Sequence, residues 1–243
     1  MRTIAVIPAR YAATRFPGKL MHTIGDKTII RMVYENVVKT ELFDQVMVVT
    51  DNEQIAEEIR NCGGWIKMSQ QEHISGSDRI AEAVSDLEVD VIINIQGDEP
   101  FVAKEPLAAL VSCFQDDGVR VASLMKGFEM GDEPGNPNQV KVVCNKKNDA
   151  LYFSRSLIPF KRNLLTETPV FRHIGVYGYR KQTLLEFTNW EAGLLEQTEM
   201  LEQLRYLENG VSIRMVETTQ NTIGIDTPED LEIAREYYRT ISS

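Results

Sequence analysis

The stretch TIAVIPARYAATRFPGK, residues 3–19, joins a short apolar run to a loop that carries three cations. Thr3–Ile7 suits a strand buried on both faces, and the loop runs on to Lys19. Arg10, Arg15 and Lys19 at the end of such a strand can meet several phosphate charges. Arginine grips oxygens through paired N–H groups, and lysine acts as a mobile point charge. The stretch matches neither GxxxxGK[ST] nor GxGxxG. Its single glycine, Gly18, leaves phosphate binding to side-chain cations rather than to a glycine nest. The plainer alternative is a strand-to-helix loop with exposed bases.

Outward from this stretch the chain alternates. A helix is expected over Ile29–Lys39, with Ile29, Ile30, Met32, Val33, Val37 and Val38 as its apolar face. Strand Val46–Thr50, helix Glu53–Asn61, a short strand near Trp65–Met68, a helix from Ser75 to Leu87, strand Val91–Ile95 and helix Lys104–Phe114 follow. Such alternation predicts an α/β fold with a mainly parallel sheet flanked by helices. Ligands in open sheets of this kind lie beyond the carboxyl ends of the strands, which directs attention to the loops after Ile7 and Ile95. The second half is less regular. Strands are expected at Val119–Lys126, Gln139–Cys144, Val170–Arg180 and Val211–Val216, with one helix over Glu196–Glu208 and a last helix from Thr227–Pro228. No repeat or long linker divides the chain, so one domain is expected over 1–243. Within it, 1–118 is expected as the regular α/β part, 119–226 as elaborations and 227–243 as a terminal helix.

Bulk properties narrow the function classes. The net charge of −10 over 243 residues argues against general nucleic-acid binding. Residues 1–31 nevertheless hold six bases against one acid, a balance of +5 that leaves −15 for the remainder. A basic island in an acidic chain suggests a local anion site. Three scattered cysteines, Cys62, Cys113 and Cys144, suit a reducing compartment. No apolar run approaches the roughly 18 residues of a membrane span. A cytosolic protein without membrane contact is the expectation.

Three further segments carry polar chemistry. NIQGDEP, residues 94–100, places Asp98 and Glu99 in a turn after a buried strand. Mg²⁺ takes one or two carboxylates plus phosphate oxygens, and Asp98 is placed to be the first, although an ordinary turn acid would satisfy the segment too. In GIDTPEDL, residues 224–231, Thr227, Pro228, Glu229 and Asp230 are explained as a helix start, which leaves Asp226 over. EHISGSDR, residues 72–79, sets Ser75 at a helix start with Arg79 one turn in, either a plain cap or an anion site. RHIGVYGYR, residues 172–180, alternates so that His173, Gly175, Tyr177 and Tyr179 share a face, which suits a polyhydroxylated ligand or a hydrogen-bonded core equally.

Taken in order, IPARYAATRFPGK (7–19), HISGSDR (73–79), NIQGDEP (94–100), NPNQVKVV (136–143), ALYFSRSLIP (150–159), RHIGVYGYR (172–180), EMLEQLR (199–205) and DTPEDLE (226–232) resemble the Kdo cytidylyltransferases, or CMP-Kdo synthetases. Kdo is 3-deoxy-manno-octulosonate. The resemblance implies a Rossmann-like nucleotide-diphosphosugar transferase fold with a central mixed, mostly parallel sheet, a homodimer, and CMP transfer from CTP to Kdo for lipopolysaccharide or capsule assembly. It implies that Arg10, Arg15 and Lys19 hold the triphosphate and that Ser75, Arg79 and Gln96 serve the cytidine side. Asp98 and Asp226 would hold Mg²⁺, and Arg10, Lys19, Asp98 and Asp226 would form the catalytic set. Arg155, His173, Tyr177, Glu202 and Gln203 would contact the sugar acid, with Glu202 and Gln203 about 100° apart on one helix. The chain departs from the family pattern at Ala13, at Asp78 and at Leu20-Met21, where proline usually follows the lysine. Competing expectations are 8-amino-Kdo or sialic acid as acceptor and, in another class, a non-catalytic nucleotide-sugar sensor.

Overall fold

The computed structural model describes residues 1–12, 16–73, 75–163, 165–221 and 223–242. Two compact units emerge, Met1–Lys104 with Asn221–Ser243, and Glu105–Gln220. They divide near residues 104 and 220.

In the first unit, strand β1 (Thr3–Ala9) leads through a small hairpin, β2 (Thr23–Ile24) and β3 (Lys27–Thr28), into helix α1 (Ile29–Lys39). Next come β4 (Gln45–Thr50), α2 (Glu53–Asn61), β5 (Trp65–Met68), α3 (Gly76–Val84) and β6 (Val91–Asn94). The order β6-β1-β4-β5 is wholly parallel. Ile4 to Ile7 are 0 % exposed, as the apolar run requires of a strand covered on both faces. Strands are added to one side of β1 and then, with β6, to the other. The loops leaving β1 and β6 therefore meet at a topological switch point. Helix α1 buries Ile29, Ile30, Met32, Val33 and Val37, but Val38 is 44 % exposed. Nine residues past Ile29, it lies half a turn around the helix and cannot share that face.

The second unit contains α4 (Lys104–Ser112), β7 (Val121–Gly127), β8 (Lys141–Cys144), β9 (Ala150–Ser154), β10 (Phe171–Arg180), α5 (Lys181–Phe187), α6 (Leu194–Glu199), α7 (Leu204–Glu208) and β11 (Ile213–Glu217). Its sheet is mixed. β11 lies parallel to β7, while β10 runs antiparallel to β7 and β8, and β8 antiparallel to β9. The helix expected over Glu196–Glu208 is two short helices, broken at Met200 in the left-handed conformation, φ 54°. Glu202 and Gln203 consequently lie between helices instead of 100° apart on one. Strand β9 and helix α5 were not anticipated; ALYFS lacks the strict alternation that marks a half-buried strand.

The chain returns to the first unit as α8 (Pro228–Ile241), where Thr227 and Asp230 form a complete capping box with Pro228 at the first position. Thr227→Ala should lower stability by about 1 kcal/mol. A chain of this length would show that as a fall of roughly 2–4 °C in melting temperature, with secondary structure unchanged. An unaltered melting curve would mean that the box contributes nothing here.

Candidate active site

The carboxyl ends of β1 and β6 frame a cavity of about 360 Å³ lined by Arg10, Lys19, His73, Ser75, Arg79, Gln96, Asp98 and Asp226. Seven of these are sequence candidates, drawn from four separate segments; Arg15 lies outside the described residues. The loop after β1 closes on itself through Gly18. Its N–H donates to the Tyr11 carbonyl at 3.0 Å, and a Cβ there would sit 3.2 Å from the Tyr11 ring in a left-handed backbone, φ 68°. This delivers Lys19 onto a short 3₁₀ turn, Lys19–Met21. The loop after β6 approaches equally closely, since a Cβ on Gly97 would lie 3.1 Å from the Pro8 carbonyl.

Lys19 is the centre of the arrangement. Its Nζ donates to Asp98 Oδ2 at 2.5 Å, to Asp226 Oδ1 at 2.9 Å and to the Ile225 carbonyl at 2.8 Å. Burial works against the charge, but the two carboxylates outweigh it and raise the lysine pKa. The leftover acid of the GIDTPEDL segment thus has a partner in the site. Asp98 and Asp226 converge on one cation position, which suits a hard divalent ion that takes two carboxylates and completes its shell with substrate oxygens. Among the described residues there is no group of three acidic, histidine or cysteine side chains that would form an all-protein cage.

Arg79 and Ser75 are occupied within the protein. Ser75 caps α3, accepting from the Asp78 N–H at 3.1 Å while its hydroxyl donates to Asp78 Oδ2 at 2.9 Å. Arg79, only 6 % exposed, donates to Asp51 Oδ2 at 2.6 Å and Ser69 Oγ at 2.8 Å, tying α3 to the ends of β4 and β5. His73 contacts Glu82 Oε2 at 2.5 Å and forms part of the wall. Sequence reading gave His73 no role. The signal that could have found it is its position, just ahead of the Ser75 cap.

The remaining candidates lie in the second unit. Ile174 pairs with Leu124 but Tyr177 with Ser123, so β10 carries two extra residues there. An even insertion preserves alternation, and His173 and Tyr177 remain neighbours, ring centroids 5.2 Å apart, with Tyr177 stacked on Tyr179 at 5.7 Å. Ser123 fills the irregularity, its hydroxyl reaching the carbonyls of Ile174 at 3.2 Å and Val176 at 2.9 Å. The same hydroxyl lies 2.9 Å from His173 Nε2, a contact in which either partner can donate. Desolvation pushes the His173 pKa down to about 3, and burial, aided by Tyr179 and Glu202, holds Tyr177 protonated. A neutral imidazole beside a protonated phenol is apt for hydroxyl groups. Arg155 is engaged with main-chain carbonyls: Nε with Glu199 at 2.8 Å, Nη1 with Pro137 at 3.1 Å and Nη2 with Met200 at 3.2 Å. Gln203 is 6 % exposed, and Glu202 is half-buried.

A cytidylyltransferase family profile matches residues 4–213. The chain is 54 % identical over 244 residues to the 3-deoxy-manno-octulosonate cytidylyltransferase of Flavobacterium johnsoniae, covering 99 % of this chain and all of that one. It is 49 % identical to the enzyme of the same name from Christiangramia forsetii, with 96 % of each chain covered. Among solved structures it is similar to CMP:2-keto-3-deoxy-manno-octonic acid synthetase complexed with CTP, at TM-score 0.94, 36 % identity and 99 % coverage of both chains.

A pKa near 3 has a measurable consequence at His173. The ring is neutral in the folded state and protonates near its ordinary value of 6.5 when unfolded, so stability is lost as pH falls from 6.5 towards 3. Melting temperature should therefore drop more steeply between pH 7 and pH 5 in the natural protein than in His173→Gln. Parallel slopes would mean that the imidazole is not desolvated.

Proposed function

The chain belongs to the cytidylyltransferase family and transfers CMP from CTP to 3-deoxy-manno-octulosonate, and from that premise we propose how its residues divide the work. The observation that supports the division is the meeting of Lys19, Asp98 and Asp226 at the ends of β1 and β6, beside Arg10. Arg10 and Lys19, with Arg15 from the same loop, carry the triphosphate. Ser75, Arg79 and Gln96 border the nucleoside, and the Asp51 and Ser69 contacts hold Arg79 in one orientation. His173, Tyr177, Glu202 and Gln203 meet the hydroxyls and carboxylate of the sugar acid.

The anomeric hydroxyl of Kdo gives up its proton to solvent and attacks the α-phosphorus of CTP; the bond from that phosphorus to the oxygen bridging to the β-phosphate breaks, and pyrophosphate departs with the electron pair. No protein nucleophile is needed. Catalysis of this kind is mostly positioning and charge neutralisation. Asp98 and Asp226 would hold Mg²⁺, which when bound neutralises phosphate charge and acidifies a coordinated hydroxyl. Lys19, kept charged by its carboxylate neighbours, faces the oxygens on which charge accumulates as pyrophosphate leaves.

We also assign the active form as a homodimer. Large apolar side chains are exposed in the second unit at Leu151, Leu157, Phe160, Leu165, Leu194 and Met200, with Phe160 87 % and Leu165 94 % exposed. Contacts from Ser154 and Arg155 to Glu199 and Met200 link two of these segments. Strand β9 pairs only with β8 among the described residues, leaving an edge beside them.

Pyrophosphate release should require CTP, Kdo and Mg²⁺ together and cease with EDTA. Release with 8-amino-Kdo or N-acetylneuraminate in place of Kdo would reassign the acceptor, and binding of CTP without release would favour a sensor. Asp98→Asn should cut turnover by about 10²-fold or more without unfolding the protein; undiminished turnover would remove Asp98 from the mechanism. Light scattering should give twice the 27.6 kDa chain mass, and Phe160→Glu combined with Leu151→Glu should halve it. A monomeric natural protein would refute the dimer.

A further inference from the structure

Lys141 is a lysine with 0 % exposure in the middle of the second unit, and no part of the reaction accounts for it. Its ammonium donates to two main-chain carbonyls, that of Asn136 at 3.0 Å and that of Arg155. Burying an ammonium is costly unless it is well hydrogen-bonded, and desolvation here pulls the Lys141 pKa down. An apolar side chain of similar volume would fill the same space at less cost. The charge is therefore best explained by what it holds in place.

It holds Arg155. The Arg155 carbonyl is fixed by Lys141, and its N–H donates to Glu199 Oε2 at 2.9 Å. Ser154 Oγ donates to the other carboxylate oxygen of Glu199 at 2.6 Å. From this fixed main chain the guanidinium spreads over Pro137, Glu199 and Met200, three carbonyls from two distant segments. In an uninterrupted helix, the carbonyls of Glu199 and Met200 would accept from the N–H groups of Gln203 and Leu204. The guanidinium takes those acceptors instead. Met200 turns left-handed, and the Leu204 N–H bonds to Leu201 at 3.1 Å. The guanidinium thus acts as an external cap that ends α6 and splits the helix the sequence predicts. Glu202 and Gln203 lie in the gap it creates.

We propose that Lys141 and Arg155 are positioning residues of the acceptor subsite: the buried ammonium fixes the Arg155 main chain, and the guanidinium holds the α6–α7 break open so that Glu202 and Gln203 are presented to the sugar acid. This rests on the assignment of Glu202 and Gln203 to the acceptor, and it gives Arg155 a different role from direct contact with the sugar carboxylate.

The test compares Lys141→Met, Arg155→Met and the double variant by steady-state pyrophosphate release and by amide hydrogen exchange. Positioning predicts that KM for Kdo rises about 10- to 100-fold in each single variant while KM for CTP stays within about twofold. The double variant should be no worse than Arg155→Met, because both act through one contact set. Exchange at residues 200–204 should quicken in Lys141→Met, and Arg155→Lys, which lacks the fork, should not restore KM. A direct sugar contact by Arg155 predicts instead that Lys141→Met leaves KM for Kdo unchanged, and that result in folded protein overturns the proposal. So would equal rises in both KM values. Should Lys141→Met not fold, Glu199→Gln loosens the same contacts from the other side and carries the same expectations. Glu202→Gln separates the two layers: an unchanged KM for Kdo removes the subsite assignment and the proposal with it, while exchange at 200–204 independently reports whether the cap exists.

Discussion

One ammonium joins three segments of the first unit that are far apart in sequence. Lys19 reaches Asp98, 79 positions away, and Asp226, 207 positions away, with the Ile225 carbonyl as a third partner. The Ile225 N–H in turn bonds to the Asp98 carbonyl at 3.0 Å, so the main chains are stitched as well as the side chains. Everything else in the site is arranged around this convergence. The parallel order β6-β1-β4-β5 brings the two loops to one edge, and the close approach of Gly97 to Pro8 lets them touch. The α8 capping box sets Asp226 at the mouth of the helix.

The same charges serve folding and chemistry. Two carboxylates facing one another would repel without a cation between them, and Lys19 supplies it. A lysine is suited to this because its ammonium sits on a flexible stem, whereas the planar guanidinium of Arg79 is fixed by Asp51 and Ser69. The second unit uses the opposite device. Desolvation there keeps the imidazole of His173 uncharged and the phenol of Tyr177 un-ionised, which suits them to the hydroxyls of a ligand.

Much of this was legible in the residues. The helix bounds Ile29–Lys39 and Glu53–Asn61 and the strand Trp65–Met68 agree with the apolar periodicity and capping residues. Of the eight polar or charged side chains that line the cavity, seven were named from local pattern, charge or family resemblance, and His73 was not. The failures have a common cause. The sequence over 196–208 has nothing that forbids a helix, and only a guanidinium from Arg155, 45 positions away, ends it at Met200. Ser123 looks like any strand serine until the two extra residues of β10 leave carbonyls for it to meet.

What the sequence determined by itself was therefore everything set within a few residues: strand and helix periods, the Thr227 cap, the cationic loop after β1 and the acidic turn after β6. Those features depend on short-range sterics and on hydrogen bonds between near neighbours, which any chain with these residues would form. What only the tertiary structure decided was which polar group answers which. Lys19 between Asp98 and Asp226, Arg79 on Asp51, and Lys141 beneath Arg155 are choices among many possible partners. Packing makes those choices, because a buried charge must find its hydrogen bonds among whatever groups the folded chain brings within 3 Å or so of it.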